Sequence, residues 1–386
     1  MTTALVLSGG GARAAYQVGV LKALGQLLPR TSHNPFPIIC GTSAGAINAL
    51  AIAGRPGPFR LRARKLEAIW RNMHAEDIYR TDVWGVLKNT LRLSLSLLHS
   101  GYGIGRSVAL LDNAPLEHLL TNYIRFRHID EAILSGELMA VSTTAMDYVS
   151  GKSVAFFQGN HDRWTRSRRH GIRTGLNINH LMASSAIPLI FPARAIDTRF
   201  YGDGAMRQLK PLSPALHLGA DRIFVIGVSD NPSPHQDTAS PKHSPSVAQM
   251  IGHLLNSAFI DSVESDLETL KAINKLVKTR PASNPDAAIE TGEQAEGSPL
   301  RHIDHLCISP STPIDEIAQK YFHELPQSVK LFLRAIGATK KGGGSSATSY
   351  LLFEPGFCRQ LIKLGYADAM AQKEAIEAFF SLDKLK

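Results

Sequence analysis

The sequence predicts an α/β protein with a mostly parallel central sheet, on three observations. Residues 3–8 (Thr-Ala-Leu-Val-Leu-Ser) are a strand-length apolar run ending on Gly9-Gly10-Gly11, and Val18, Leu21, Leu24 and Leu28 then recur at helical spacing from Ala14 to Leu28. The pattern repeats at once: Pro37 to Cys40 reads as a second buried strand, Gly41-Thr42-Ser43-Ala44-Gly45 as a tight turn, and the Ala- and Ile-rich run to Ala53 as a helix. Strands that alternate with helices from the start of a chain belong to parallel sheets, whose strands are buried on both faces and so read as continuous apolar runs. Third, Arg222 to Ser229 is another such run.

The remaining elements follow in order. Val83 to Leu98 carries Trp84, Leu87, Leu91, Leu95 and Leu98 on one helical face, which suits a core helix, an interfacial helix or a lid. Glu137 to Met146 and Ser153 to Phe157 read as a hairpin around Ser150-Gly151. Arg163, Arg166, Arg168, Arg169 and Arg173, with Trp164 and His170, read as a solvated basic loop or a contact for lipid phosphates or nucleic acid, although no recognisable nucleic-acid module surrounds them. Beyond residue 230 the texture changes: 231–246 is a Pro-, Ser- and His-rich loop, Val247 to Val277 a long helical pattern, 281–299 a polar mobile linker, Ile303 to Ile308 a late strand, and the rest mostly helical. The expected organisation is one α/β domain over 1–230, with a helical insertion at about 60–126, and a mainly helical portion over 231–386 packed on it.

The chain has 386 residues, 44% of them hydrophobic, enough for a substantial core. Three scattered cysteines, Cys40, Cys307 and Cys358, argue against a disulfide framework and for a reducing, cytoplasmic compartment. No signal peptide and no transmembrane helix is expected. The formal charge of +9 is local: residues 1–66 hold eight Lys or Arg and no acid, leaving 34 basic against 33 acidic groups elsewhere. That concentrates a positive field on the segment bearing the glycine run and Ser43, rather than giving the coat a nucleic-acid binder needs.

Gly9, Gly11 and Ala14 satisfy G-x-G-x-x-[G/A] between a strand and a helix, the dinucleotide fingerprint. The acid that should follow about 20 residues on to bind a ribose is missing, since no Asp or Glu precedes Glu67. What survives is an anion or oxyanion site of backbone N–H groups, with Arg13 beside it. Gly41-Thr42-Ser43-Ala44-Gly45 is G-x-S-x-G, whose small flanking residues allow the strained turn that projects a serine hydroxyl. Cys40 beside it reads as a core residue. A serine nucleophile needs a base. An α/β-hydrolase order, with His302 or His305 downstream, demands more strands before the serine than this chain has. Tyr201-Gly202-Asp203-Gly204-Ala205 offers a carboxylate between two glycines. Two other patterns are set aside. Gly342-Gly343-Gly344-Ser345-Ser346 lacks Walker A order, and His302, Asp304, His305 and Cys307 would alternate across a strand, so no metal is expected.

Gly9-Gly10-Gly11-Ala12-Arg13, then Gly41-Thr42-Ser43-Ala44-Gly45, then Asp203-Gly204-Ala205, preceded by Met182-Ala183-Ser184-Ser185-Ala186-Ile187-Pro188-Leu189-Ile190-Phe191-Pro192, resembles the patatin-like phospholipases over about residues 3–230, and more loosely over 350–369. Many members have Asp-Gly-Gly where this chain has Asp-Gly-Ala. The resemblance implies a three-layer α/β/α fold and a lipid acyl hydrolase without cofactor or metal, working on phospholipid or lysophospholipid esters at a membrane surface. It implies Ser43 as nucleophile, Asp203 as base, and Gly9, Gly10, Gly11 and Arg13 around the oxyanion, with Gly41, Gly45 and Gly204 supporting the turns. A homodimer is compatible with it. An acyltransferase or another esterase could use the same pair, and a basic anion- or nucleotide-binding protein could use the Gly9–Gly11 loop alone. An ordinary Asp, with pKa near 3.9, is a poor base at neutral pH. Burial, alkoxide stabilisation by a helix dipole and Arg13, or proton transfer concerted with attack would each ease this.

Overall fold

The computed structural model describes residues 1–82, 85, 109–229, 246–279, 301–335 and 345–382. The amphipathic stretch from Val83, the loop at 231–246 and the linker at 281–299 fall almost wholly outside them. So does most of the Gly342 run.

Among the described residues ten strands form one sheet: β1 (Thr3–Leu7), β2 (Ile38–Thr42), β3 (Ala140–Asp147), β4 (Ser153–Gly159), β5 (Trp164–Arg166), β6 (Arg169–Arg173), β7 (Arg194–Ile196), β8 (Arg199–Asp203), β9 (Arg222–Ile226) and β10 (Asp304–Ile308). The order β10-β9-β1-β2-β3 is parallel throughout, with Leu7 beside Gly41 and Thr42 beside Thr144. Beyond β3 the sheet turns mixed: β3 pairs antiparallel with β4 as the expected hairpin and with β8 on a branch. Register brings Asp203 opposite Ala145, so the end of β8 meets the carboxyl end of β3.

Alternation along the strands sorts the core into two layers. Leu5, Leu7, Ile39, Val141 and Phe224 pack beneath helix α1 (Ala15–Leu27), helix α2 (Ala44–Ala53) and the C-terminal helices. Ala4, Val6, Ile38, Cys40 and Val225 pack on the opposite face against Leu212, Leu267 and Leu270. The result is a mostly parallel central sheet with helices on both sides, as the sequence predicts.

Three local expectations change. The second strand runs on through Gly41 and Thr42, so Ser43 follows it directly. The basic stretch from Arg163 to Arg173 is no loop: it supplies β5 and β6 at the sheet edge, where Trp164 stacks between Phe157 and His217 and finds the apolar contact that orders the hairpin. The helical pattern from Val247 breaks at a π-turn, Ser257–Asp261, between helices Val247–Asn256 and Ser262–Thr279.

Candidate active site

Parallel strands aim their carboxyl ends at one edge of the sheet, and the glycine run after β1 and Ser43 after β2 lie there together. Ser43 has φ 55° and ψ −131°, in the left-handed half of backbone space that non-glycine residues avoid. The strain is held by close packing: a Cβ at Gly45 would lie 2.4 Å from the carbonyl oxygens of Leu7 and Ser8, so only glycine lets α2 start this close to β1. α2 then directs its positive end at Ser43.

Ser43 Oγ donates a 2.6 Å hydrogen bond to Asp203 Oδ2, and both residues are buried. Asp203 Oδ1 accepts from the Ala205 N–H at 2.9 Å, and its own N–H donates to the Ala186 carbonyl. Burial raises the Asp203 pKa from 3.8 to about 7, outweighing the hydrogen bonds from Ser43 and Ala205 that pull it down. Burial, one of the three ways in which the sequence expectation allows such a carboxylate to act as a base, is present in the fold. Cys40, buried beneath the turn, has its thiol pushed up to about 12 by desolvation, which suits a core residue.

The glycine run adopts the tight geometry expected of it. Gly11 has φ 54°, and a Cβ there would stand 2.2 Å from the Tyr350 carbonyl oxygen. Arg13 departs from expectation. Its guanidinium is buried and paired: Nη2 donates to Asp315 Oδ1 at 2.5 Å and to Asn256 Oδ1 at 3.4 Å, Nε donates to Ser349 Oγ at 2.7 Å, and the group stacks over the Tyr350 ring. Asp315 also accepts from Ser346 Oγ. The charge expected beside the oxyanion is thus neutralised by an acid 302 positions away, and it ties the glycine loop to the C-terminal helices.

Several positioning residues were not singled out by sequence. Ser184 Oγ accepts from the Ser43 N–H at 2.9 Å and donates to the Thr144 carbonyl at 2.6 Å, so the Ser43 N–H is already engaged. Thr42 Oγ1 donates to Gln208 Oε1, and Gln208 Nε2 donates to Thr144 Oγ1. Ser184 lies in the Met182–Pro192 stretch, where two serines amid apolar residues were the available signal. Phe259, at the π-turn, lies against Gly9: a Cβ there would meet its ring at 2.5 Å. Nothing local in the sequence marked that contact.

From Ser43 and Gly11 opens a narrow, almost wholly apolar cleft. Its walls come from segments without a recognisable motif: Leu66, Ile69 and Trp70 on helix Phe59–Trp70, Leu116, Leu119 and Leu120 on helix Ala114–Tyr123, and Tyr350 and Phe353 near the C-terminus. Trp70 is fixed there by its indole N–H, which donates to Asn48 Oδ1. Among the described residues no group of three His, Cys, Asp or Glu side chains could hold a metal. Among them, too, no helix is long and apolar enough to cross a membrane.

An α/β sheet with a serine on a strained strand-to-helix turn, hydrogen-bonded to one buried carboxylate, defines the class of scaffold. A patatin-like phospholipase family model matches residues 5–216, more than half of the chain, and the chain belongs to that family. It is 28% identical over 203 residues to the cGAMP-activated phospholipase of Pseudomonas aeruginosa, covering 52% of each protein. It is 26% identical over 216 residues to the calcium-independent phospholipase A2-gamma of Rattus norvegicus, covering 55% of this chain and 25% of that protein. The chain thus spans about half, or a quarter, of the length of these curated relatives. A solved structure of human GIVD cytosolic phospholipase A2 bound to a fluorophosphonate aligns with a TM-score of 0.46 at 12% identity, covering 99% of this chain and 59% of that one.

Proposed function

We propose that this protein is a serine acyl hydrolase that cleaves fatty acyl esters of phospholipids or lysophospholipids, with Ser43 as nucleophile and Asp203 as general base. The observation that carries this reading is the 2.6 Å Ser43–Asp203 hydrogen bond at the floor of an apolar cleft. Family membership and the phospholipase names of the relatives agree with it.

Asp203 Oδ2 takes the hydroxyl proton as Ser43 Oγ attacks the ester carbonyl carbon. The tetrahedral oxyanion is held by the N–H groups of Gly10 and Gly11, assisted by Gly9 and by the Ala44 N–H at the start of α2. The Ser43 N–H is excluded from this role by Ser184. Collapse of the intermediate expels the alcohol, which takes the proton from Asp203 and leaves an acyl-enzyme. Asp203 then deprotonates a water that attacks the acyl carbon, and collapse of the second tetrahedral intermediate breaks the Ser43 Oγ–acyl bond, returns the proton from Asp203 to Ser43 Oγ and releases the fatty acid. A base with pKa about 7 is half ionised near neutrality, where a general base works best. The acyl chain lies along the walls around Trp70 and Leu119, and no metal enters any step.

A fluorophosphonate probe tests the nucleophile. Wild-type protein is expected to label on Ser43 and Ser43→Ala to remain unlabelled, with mass spectrometry locating the adduct. A wild type that stays unlabelled favours an anion-binding role for the glycine loop instead. The cleft gives a second expectation. Leu119→Trp fills it from the helix Ala114–Tyr123, so KM for a long-chain ester rises roughly tenfold while a short-chain ester is spared. Equal effects on both chain lengths would place the acyl chain elsewhere.

A further inference from the structure

We infer that the carboxyl-end rim of the sheet, formed by three adjacent turns, is a docking surface for an anionic phospholipid bilayer. β3 and β4 are antiparallel and joined at 148–152, so this turn projects from the edge that also bears Ser43. β4 and β6 are parallel, with Ser153 beside Arg169, which brings the β5–β6 turn at Ser167-Arg168 to the same edge. There the Ser153 N–H donates to the Arg168 carbonyl. β8 enters antiparallel to β3 with Tyr201 opposite Asp147, so the β7–β8 tip at Asp197-Thr198 projects beyond the same end.

These turns present two chemistries together. Val149, in the β3–β4 turn, is 73% exposed, and Phe200, on β8 beside the β7–β8 tip, is 52% exposed. Leu189 is 63% exposed at a φ of 69°, between Ile187 and Phe191, which line the cleft. Around them stand Lys152, Arg166, Arg168, Arg199 and Arg207. Arg207 Nε donates to the Gly151 carbonyl within the first turn, and Arg199 reaches Asp147 across to β3. Among the described residues the acids near these turns are Asp147, paired with Arg199, Asp197, and Asp266, which pairs with Lys210 and lies within reach of the charge on Arg169. His170, on β6, has its pKa lowered chiefly by burial, then by Lys152, against an opposing pull from Asp147, with Arg199 adding to the lowering.

Cations ringing exposed apolar tips match the headgroup layer of an anionic membrane, where the tips enter the interface and each cation gains from the surface potential. A free phosphate would use the cations and leave the apolar tips without purpose. The choice of a bilayer rests on the proposed lipid substrate, but binding can be measured without turnover. The Asp203 N–H at the end of β8 donates to the carbonyl of Ala186, next to Ile187 of the cleft wall, which ties this face to the cleft.

The test is sedimentation of the full chain, carrying Ser43→Ala so that vesicles survive, with phosphatidylglycerol or phosphatidylcholine vesicles. Preference for phosphatidylglycerol is expected, falling steeply as salt is raised. Adding Arg166→Glu and Arg168→Glu should weaken binding roughly thirty-fold, and adding Val149→Asp and Phe200→Ser should also weaken it. With Ser43 restored, both double variants should hydrolyse a soluble short-chain ester at the parental rate and melt at the parental temperature. Equal binding to the two vesicle types overturns the inference, as does parental binding by either double variant. Vesicle binding that follows these expectations in a protein without esterase activity would leave the docking surface standing and remove the hydrolase reading.

Discussion

Asp203→Asn is expected to lower kcat/KM for ester hydrolysis by about 10⁴-fold while making the folded protein more stable above neutral pH. The amide keeps the shape of the carboxylate and cannot take the Ser43 proton. In the wild type, kcat/KM should climb about tenfold per pH unit below pH 7 and level off above it, since the ionised form of a group with pKa about 7 is the active one. Stability runs the other way. The folded pKa lies above the 3.8 of the unfolded chain, so folding favours the protonated acid. That favourable contribution is complete below pH 3.8 and is lost as pH rises through about 7, leaving a buried carboxylate that costs up to roughly 4 kcal/mol. Asn removes this penalty. Urea unfolding at pH 5.5 and pH 8.5 should therefore show the variant gaining on the wild type mainly at the higher pH. Retained hydrolysis by the variant, or a flat wild-type pH–rate profile between pH 5 and 8, would refute the assignment.

Arg13→Met is expected to destabilise the fold by about 3–5 kcal/mol and to lower kcat by about 10²-fold with a smaller change in KM. The buried guanidinium is the shared partner of Asp315, Ser349 and Asn256, and its loss strands an acid that is 28% exposed among them. Arg13 lies two residues after Gly11, in the same short helical turn, so the same loss frees the Gly10 and Gly11 N–H groups proposed to hold the oxyanion. Arg13→Met combined with Asp315→Leu separates the two effects. Replacing a buried pair by apolar groups restores much of the stability. The kcat should stay low, because the polar anchor is still missing. If kcat recovers together with stability, Arg13 serves folding alone.

The proposed Ser43–Asp203 pair was legible because turn chemistry is local. A serine at positive φ needs small neighbours at Gly41, Ala44 and Gly45, and a loop that crowds Tyr350 needs Gly11, so the constraint is written into adjacent positions. The parallel sheet was legible for a related reason: strands buried on both faces are apolar in consecutive positions, as Ala4–Leu7, Ile38–Cys40 and Ile223–Ile226 are.

Other features were settled only by contacts between distant segments. The apolar stripes on helices Phe59–Trp70 and Ala114–Tyr123 have the same spacing whether they face a packed core or an open cleft, and tertiary packing chose the cleft. The positive charge of Arg13 reads as free in sequence because Asp315 lies 302 positions on. The five arginines of the basic stretch read as a loop because the contact that orders them, Trp164 between Phe157 and His217, is made across strands. The carboxylate at Asp203 could be found from its glycines, but its strength as a base could not: desolvation depends on everything packed around the group, and only the closed fold supplies that.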